Sequence, residues 1–223
     1  MSDKPVDQAG DSAAGLPAED ISEAALTEIF GDRVGAARAY HELLATDGIE
    51  WGLLGPREGD RLWQRHILNS AALGSVMPQD ASVVDVGSGA GLPGIPLALV
   101  RPDLRVTLLE PLERRVAFLT RAVDKLGISD RVDIVRARAE EHKELYDVAT
   151  SRAVGPLKRL LPWCLPLMRP RTGEFIALKG ASVSDELRAV DKLLAKRKLR
   201  ASIVSVRAHP TTEATTALRI AAG

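Results

Sequence analysis

The sequence predicts an α/β fold: a seven-stranded, mainly parallel sheet with an antiparallel edge hairpin, preceded by a small N-terminal helical cap. Three observations carry this reading. Between Asp20 and Pro78 apolar residues recur at three- and four-residue spacing, the period of an α-helix. Beyond Pro78 short β-branched runs alternate with helical segments, the pattern of βαβ units. The 223 residues suffice for one such domain of about 150 residues and a smaller appendage, but not for two full domains.

The elements follow in chain order. Residues 1–19 are rich in Asp, Ala, Gly, Ser and Pro and too poor in large apolar groups to offset the entropy of ordering them, so an acidic disordered tail is expected. The cap spans residues 20–80. Its first helix carries Ile21, Ala25, Leu26, Ile29 and Phe30; its second carries Val34, Ala37, Tyr40, Leu43 and Leu44 and is stopped by Asp47-Gly48. A third helix is expected from Pro56 to about Met77-Pro78, with Leu62, Trp63, His66, Ile67 and Ser70 on one side. Residues 81–223 supply the sheet, with strands at Ser82–Val86, Arg105–Leu109, Val132–Arg136, Asp147–Ser151, Glu174–Lys179, Ala201–Val206 and Thr215–Ile220. The link His209-Pro210-Thr211-Thr212-Glu213 leaves no room for a crossover helix, so the last two strands are expected to pair antiparallel.

Composition narrows the function classes. Apolar stretches are only strand-length, which argues against a transmembrane span and for a soluble protein that does not enter membranes. Residues 1–20 lack the basic start and apolar core of a secretory signal, and the single cysteine, Cys164, cannot form an internal disulfide; a cytoplasmic location is expected. Four scattered histidines and one cysteine offer no metal-ligand spacing. The net charge of zero conceals a division, because residues 1–30 hold seven acids and one base and the remainder is net positive by six. Between Arg152 and Arg200, twelve Lys or Arg face four Asp or Glu, which reads as a phosphate-facing surface or as a solvated helix face.

The chemistry gathers at Asp85-Val86-Gly87-Ser88-Gly89-Ala90-Gly91-Leu92-Pro93-Gly94, where a buried strand runs straight into a glycine-rich turn and then a helix. Glycines permit positive φ and close backbone approach, and the helix start offers unpaired N–H groups to a polar ligand. Gly89 to Gly94 also satisfies the dinucleotide pattern G-x-G-x-x-G, with Glu110 twenty-one residues beyond Gly89. Three features favour S-adenosylmethionine over a dinucleotide. Asp85 precedes the first glycine of G-x-G-x-G, where it can order the loop or reach the methionine amino group. A pyrophosphate would be repelled by that carboxylate. The residues after the loop are used up in completing one sheet. Glu110, at the end of the second strand, is placed to accept ribose hydroxyls, or else is a helix N-terminal acid favoured by the dipole. Arg138, Ala139 and Glu140 follow the third strand, where they can frame an adenine.

These residues carry a specific resemblance. Arg65-His66-Ile67-Leu68-Asn69-Ser70, the Asp85–Gly94 loop continued by Ile95-Pro96-Leu97, Arg101-Pro102, Leu108-Leu109-Glu110, Arg114 to Leu119, Arg138 to Glu141, Ser151-Arg152-Ala153 and Leu178-Lys179-Gly180 together resemble the glucose-inhibited division protein B family. That family comprises bacterial small-subunit rRNA guanine-N7 methyltransferases with a Rossmann-like fold. The resemblance implies methylation of N7 of guanine 527 in 16S rRNA, in the small ribosomal subunit or its precursor, with S-adenosyl-L-methionine as donor. It also implies cofactor contacts at Gly87, Leu92, Arg138, Ala139 and Arg152. Departures are Asn69 for the usual Asp, Glu110-Pro111 for Asp-Ser, and Gly52-Leu53-Leu54-Gly55 near the place of an Asn-Leu-Thr segment.

Such a reaction asks little acid–base work of the protein. Guanine N7 carries a lone pair and no proton, so no general base is needed and positioning dominates. The fourth strand ends Ser151-Arg152-Ala153-Val154, without the Asn/Asp-Pro-Pro-aromatic cluster of amine methylation, and Cys164 sits in an apolar segment unsuited to covalent cysteine chemistry. Three side chains are the catalytic candidates. Arg152 and Lys179 end strands four and five, where they can meet base or phosphate; the alternative for Lys179 is a surface lysine. His66 is either a satisfied core histidine or an organiser of the substrate pocket. A monomer is expected. The readings set against this are a non-catalytic or differently targeted RNA-binding protein that keeps the S-adenosylmethionine fold and a dinucleotide-dependent oxidoreductase.

Overall fold

A computed structural model describes residues 21–152 and 155–223; the expected tail, residues 1–19, lies outside them. The seven strands are β1 Ser82–Val86, β2 Arg105–Leu109, β3 Val132–Val135, β4 Val148–Thr150, β5 Glu174–Lys179, β6 Leu199–Val206 and β7 Thr215–Ala222. They form one sheet in the order β3-β2-β1-β4-β5-β7-β6. β1 to β5 are parallel, and β7 inserts antiparallel between β5 and β6, as the short link between the last two strands predicts. The central strands are covered on both faces, so Val83, Val84 and Val86 are all buried although they point to opposite sides. Strand order reverses between β1 and β4, and such a switch point opens a crevice at the carboxyl ends of the strands.

Helices α1 (Glu23–Phe30) and α2 (Val34–Leu43) begin the cap. Ser22 starts α1 by accepting the Ala25 N–H through its hydroxyl at 3.2 Å. The third cap helix is not the regular α-helix the periodicity predicts. It is a 3-10 turn (Pro56–Arg61), a wide π turn (Leu62–Leu68), a short α3 (Asn69–Ala72) and a second 3-10 turn (Leu73–Val76). The His66 carbonyl explains the irregularity: it accepts the Ser70 hydroxyl at 2.6 Å and Arg152 Nη1 at 3.1 Å, while the Asn69 N–H reaches back five residues to Gln64. π turns of this kind often mark functional sites.

The remaining helices are α4 (Gly94–Val100), α5 (Glu113–Leu126), α6 (Leu157–Cys164) and α7 (Val183–Lys196). The amphipathic α5 is closed by Gly127 in the left-handed conformation at φ 62°. On one face of the sheet, cap residues Phe30, Tyr40, Leu43, Leu62 and Ile67 share an apolar cluster with Ile95, Leu97 and Phe118. The described cap residues and the sheet therefore differ in local pattern while sharing one apolar cluster. Arg101 fastens that join: it donates to the carbonyls of Gly74, Met77 and Pro78 at 2.7–3.1 Å and pairs with Asp103 at 2.6–2.7 Å. On the other face α6 and α7 bury Leu160, Leu161, Cys164, Val190 and Leu194 against Phe175 and Leu218. No helix among the described residues is long and apolar enough to cross a membrane.

Candidate active site

The turn after β1 has Gly87, Gly89 and Gly91 at φ 72°, 58° and 93°, where a side chain would be strained. It is tied to the neighbouring strand, with the N–H groups of Gly87 and Ser88 donating to Leu109 O at 2.8 and 3.3 Å. Asp85 lies beneath it, fully buried, and its Oδ2 accepts the Gly94 N–H at 3.0 Å. Burial pushes the Asp85 carboxyl up to about 7, against the opposing pull of that N–H. Its Oδ1 has no hydrogen-bond partner among the described residues. A methyl group on Gly94 would come within 2.4 Å of Leu108 Cδ2 and 2.9 Å of Asp85 Oδ2, so a side chain there would have to displace its neighbours. From the cap, the buried Tyr40 hydroxyl donates to the Ala90 carbonyl at 2.8 Å and holds the turn from outside the sheet.

A cleft of about 830 Å³ opens over this turn, within the ~300–1,000 Å³ usual for small-molecule sites. Its floor is Gly87, Ser88, Gly89 and Leu92; Glu110 follows β2, and residues 136–141 follow β3. Arg152 closes it after β4, with Leu53, Leu54 and His66 coming from the cap and Arg159 and Trp163 from α6. Glu110 is only 1% exposed: Oε2 accepts the Gly89 N–H at 3.0 Å, Oε1 accepts the Leu112 N–H at 3.1 Å, and Arg115 stands 3.6 Å away. Each oxygen keeps a further lone pair for a ligand hydroxyl.

Arg152 and His66 are joined directly. Arg152 Nη2 donates to His66 Nδ1, Nη1 donates to the His66 carbonyl at 3.1 Å and to Ser70 Oγ at 3.4 Å, and His66 Nε2 faces Glu58 Oε2 at 2.6 Å. Burial and the neighbouring Arg152 cation push His66 down to about 4, although Glu58 opposes this. Burial also lowers Arg152, to about 10, which leaves it cationic at neutral pH.

The cleft thus brings together Gly87, Gly89, Leu92, Glu110, Arg138, Ala139, Glu140, Arg152 and His66. Three residues singled out from the sequence stand outside its wall. Asp85 is under the turn, and Gly91 backs onto Ile95, whose Cδ1 a Cβ there would meet at 2.4 Å. Lys179 turns its ammonium to Glu186 Oε2 at 2.8 Å and the Gly155 carbonyl at 3.3 Å, because Glu186 on the first turn of α7 gathers Lys179 and the Leu157 N–H. Glu58, Arg159 and Trp163 are the residues that sequence reasoning missed. The Arg159 guanidinium lies 5.1 Å over the Trp163 ring, an i,i+4 cation–aromatic pair that helical spacing could have exposed. Cys164 beside them is buried, and burial pushes its thiol up. Among the described residues no cluster of three His, Cys, Asp or Glu could hold a metal ion.

Comparison with known proteins agrees with this architecture. Residues 33–214 match the family described as rRNA small subunit methyltransferase G. A relative of that name in Kineococcus radiotolerans is 50% identical over 203 residues, 89% of this chain and 79% of its own. Another in Streptomyces coelicolor is 55% identical over 172 residues, 76% of this chain and 71% of its own. Among solved structures, an O-methyltransferase from Bacillus cereus in complex with SAH superposes with a TM-score of 0.56 at 15% identity, over 88% of this chain and 94% of that one. That likeness shows a shared Rossmann-like methyltransferase fold.

Proposed function

The chain belongs to the rRNA small subunit methyltransferase G family, and from that premise we propose that it transfers a methyl group from S-adenosyl-L-methionine to N7 of guanine 527 in 16S rRNA. The observation that carries this reading is the cleft itself, with a glycine turn and the Glu110 carboxylate on one side and the Arg152 cation on the other. The residues present suit the cofactor. Positive-φ glycines give close backbone approach, Glu110 has lone pairs for ribose hydroxyls, and the 136–141 segment offers Ala137 and Ala139 beside a flat heterocycle. When bound, the sulfonium supplies an electrophilic methyl group.

The protein's own part is positioning. Guanine N7 needs no deprotonation, so no side chain has to act as a base. Arg152 directs its free N–H donors at guanine O6, leaving the adjacent N7 lone pair open for in-line attack. His66 holds Arg152 in place from the cap. Lys179 contributes from behind the cleft wall by restraining Gly155 and the start of α6. Asp85 keeps the glycine turn in register with α4. The chain acts as a cytoplasmic monomer on the small ribosomal subunit or its precursor.

The test is methyl transfer in vitro. Purified protein, methyl-labelled S-adenosylmethionine and small subunits from a strain lacking the gene should yield one labelled 7-methylguanine at position 527, located by nuclease digestion and mass spectrometry. Label at another nucleotide, or none, would refute the assignment.

A further inference from the structure

Arginine has five N–H donors and no acceptor, so the His66 Nδ1 that faces Arg152 must carry a lone pair. The imidazole is then neutral, and its single proton sits on Nε2, pointing at Glu58 Oε2 2.6 Å away. The position of His66 near 4 agrees with a neutral ring. Three of the Arg152 donors are engaged by His66 Nδ1, the His66 carbonyl and Ser70 Oγ. Nε–H and one Nη2 hydrogen remain without a partner among the described residues. The other tautomer of His66 would set an N–H against a guanidinium N–H and drive Arg152 away from this seat.

From this geometry we infer that Glu58 is a positioning residue: by accepting the His66 Nε2–H it selects the tautomer that anchors Arg152 at the cleft. This rests on the reading of Arg152 as the group that meets the guanine. Glu58 never touches the cleft; it acts through His66, in the way a carboxylate fixes the tautomer of a catalytic or metal-bound histidine. The arrangement also couples cap to sheet, since Glu58 and His66 belong to the cap and Arg152 follows β4.

Two variants of the full-length protein test it, each with two readouts. Two-bond proton–nitrogen correlation spectra report the His66 tautomer, and steady-state methyl transfer to small subunits gives kcat. Wild type should show the Nε2–H form. Glu58→Ala should populate the Nδ1–H form and lose roughly tenfold in kcat, with S-adenosylmethionine affinity unchanged. Glu58→Gln, whose amide oxygen still accepts the Nε2–H, should restore both tautomer and rate. A wild-type tautomer in Glu58→Ala, or a wild-type kcat, would overturn the proposal. So would a rate loss that Glu58→Gln does not rescue. The tautomer spectra need no turnover, so an enzyme inactive on rRNA would sink the substrate assignment while the role of Glu58 would still be decided.

Discussion

The two walls of the cleft are built on different principles. The wall over β1 and β2 is mainly backbone: three glycines at positive φ, N–H groups pinned to Leu109 O, and the buried carboxylates of Asp85 and Glu110 holding the Gly94, Gly89 and Leu112 N–H groups. The wall between the cap and β4 is made of side chains that meet across long stretches of sequence, with Arg152 reaching residues 82 and 86 positions away. The backbone wall is fixed by glycine conformation and, at Gly91 and Gly94, by the lack of room for a Cβ. A side-chain wall is fixed by donor–acceptor matching and can be retuned by single protons.

Substitutions can break this contrast. The largest effect is expected on the side-chain wall: Arg152→Ala should lower kcat about 100-fold, the scale for removing one preorganised donor, with a much smaller loss in S-adenosylmethionine affinity. Equal losses in both would place Arg152 on the cofactor side. Gly94→Ala should act in the opposite sense. A Cβ there meets Leu108 and Asp85, so stability should fall by about 1–3 kcal/mol in urea denaturation and cofactor binding should fall with it. Unchanged stability would show that the backbone wall can give.

A pH experiment sharpens the same point. The folded Asp85 carboxyl stands at about 7 against an ordinary 3.8, so between those values the folded chain holds a proton that the unfolded chain releases. Its contribution to stability is fully present below about pH 4 and is lost as pH rises through about 7. The stability of wild type relative to Asp85→Asn should therefore decline across that window and level off above it. A difference independent of pH would mean that the buried carboxyl is already charged in the fold. The smallest effect is expected for Tyr40→Phe, which removes the donor to the Ala90 carbonyl and should cost about 1 kcal/mol by thermal unfolding; no change would show that the cap does not brace the turn.

How much the sequence reveals follows the same division. The bounds of β1, β2 and β5 are those read from β-branched runs and flanking turn residues, because central parallel strands advertise their burial locally. The glycine turn and Glu110 are legible for the same reason. The helix from Pro56 is not, since the π turn around His66 arises from Ser70 and Arg152 donating to one carbonyl, and the second of these lies 86 residues away. Lys179, read as a site residue from its place at the end of β5, has its ammonium drawn to Glu186 on a different element, a contact with no local signal. Glu58 carries no local signal at all; only the fold brings it to His66.

Calorimetry on the purified chain tests the central claim, that the cleft over the glycine turn is an S-adenosylmethionine site, most directly. Titration with S-adenosylmethionine or its demethylated product should give saturable one-to-one binding, which Gly94→Ala weakens, and NAD should give no heat of binding. Saturable binding of NAD with none of S-adenosylmethionine would contradict the account.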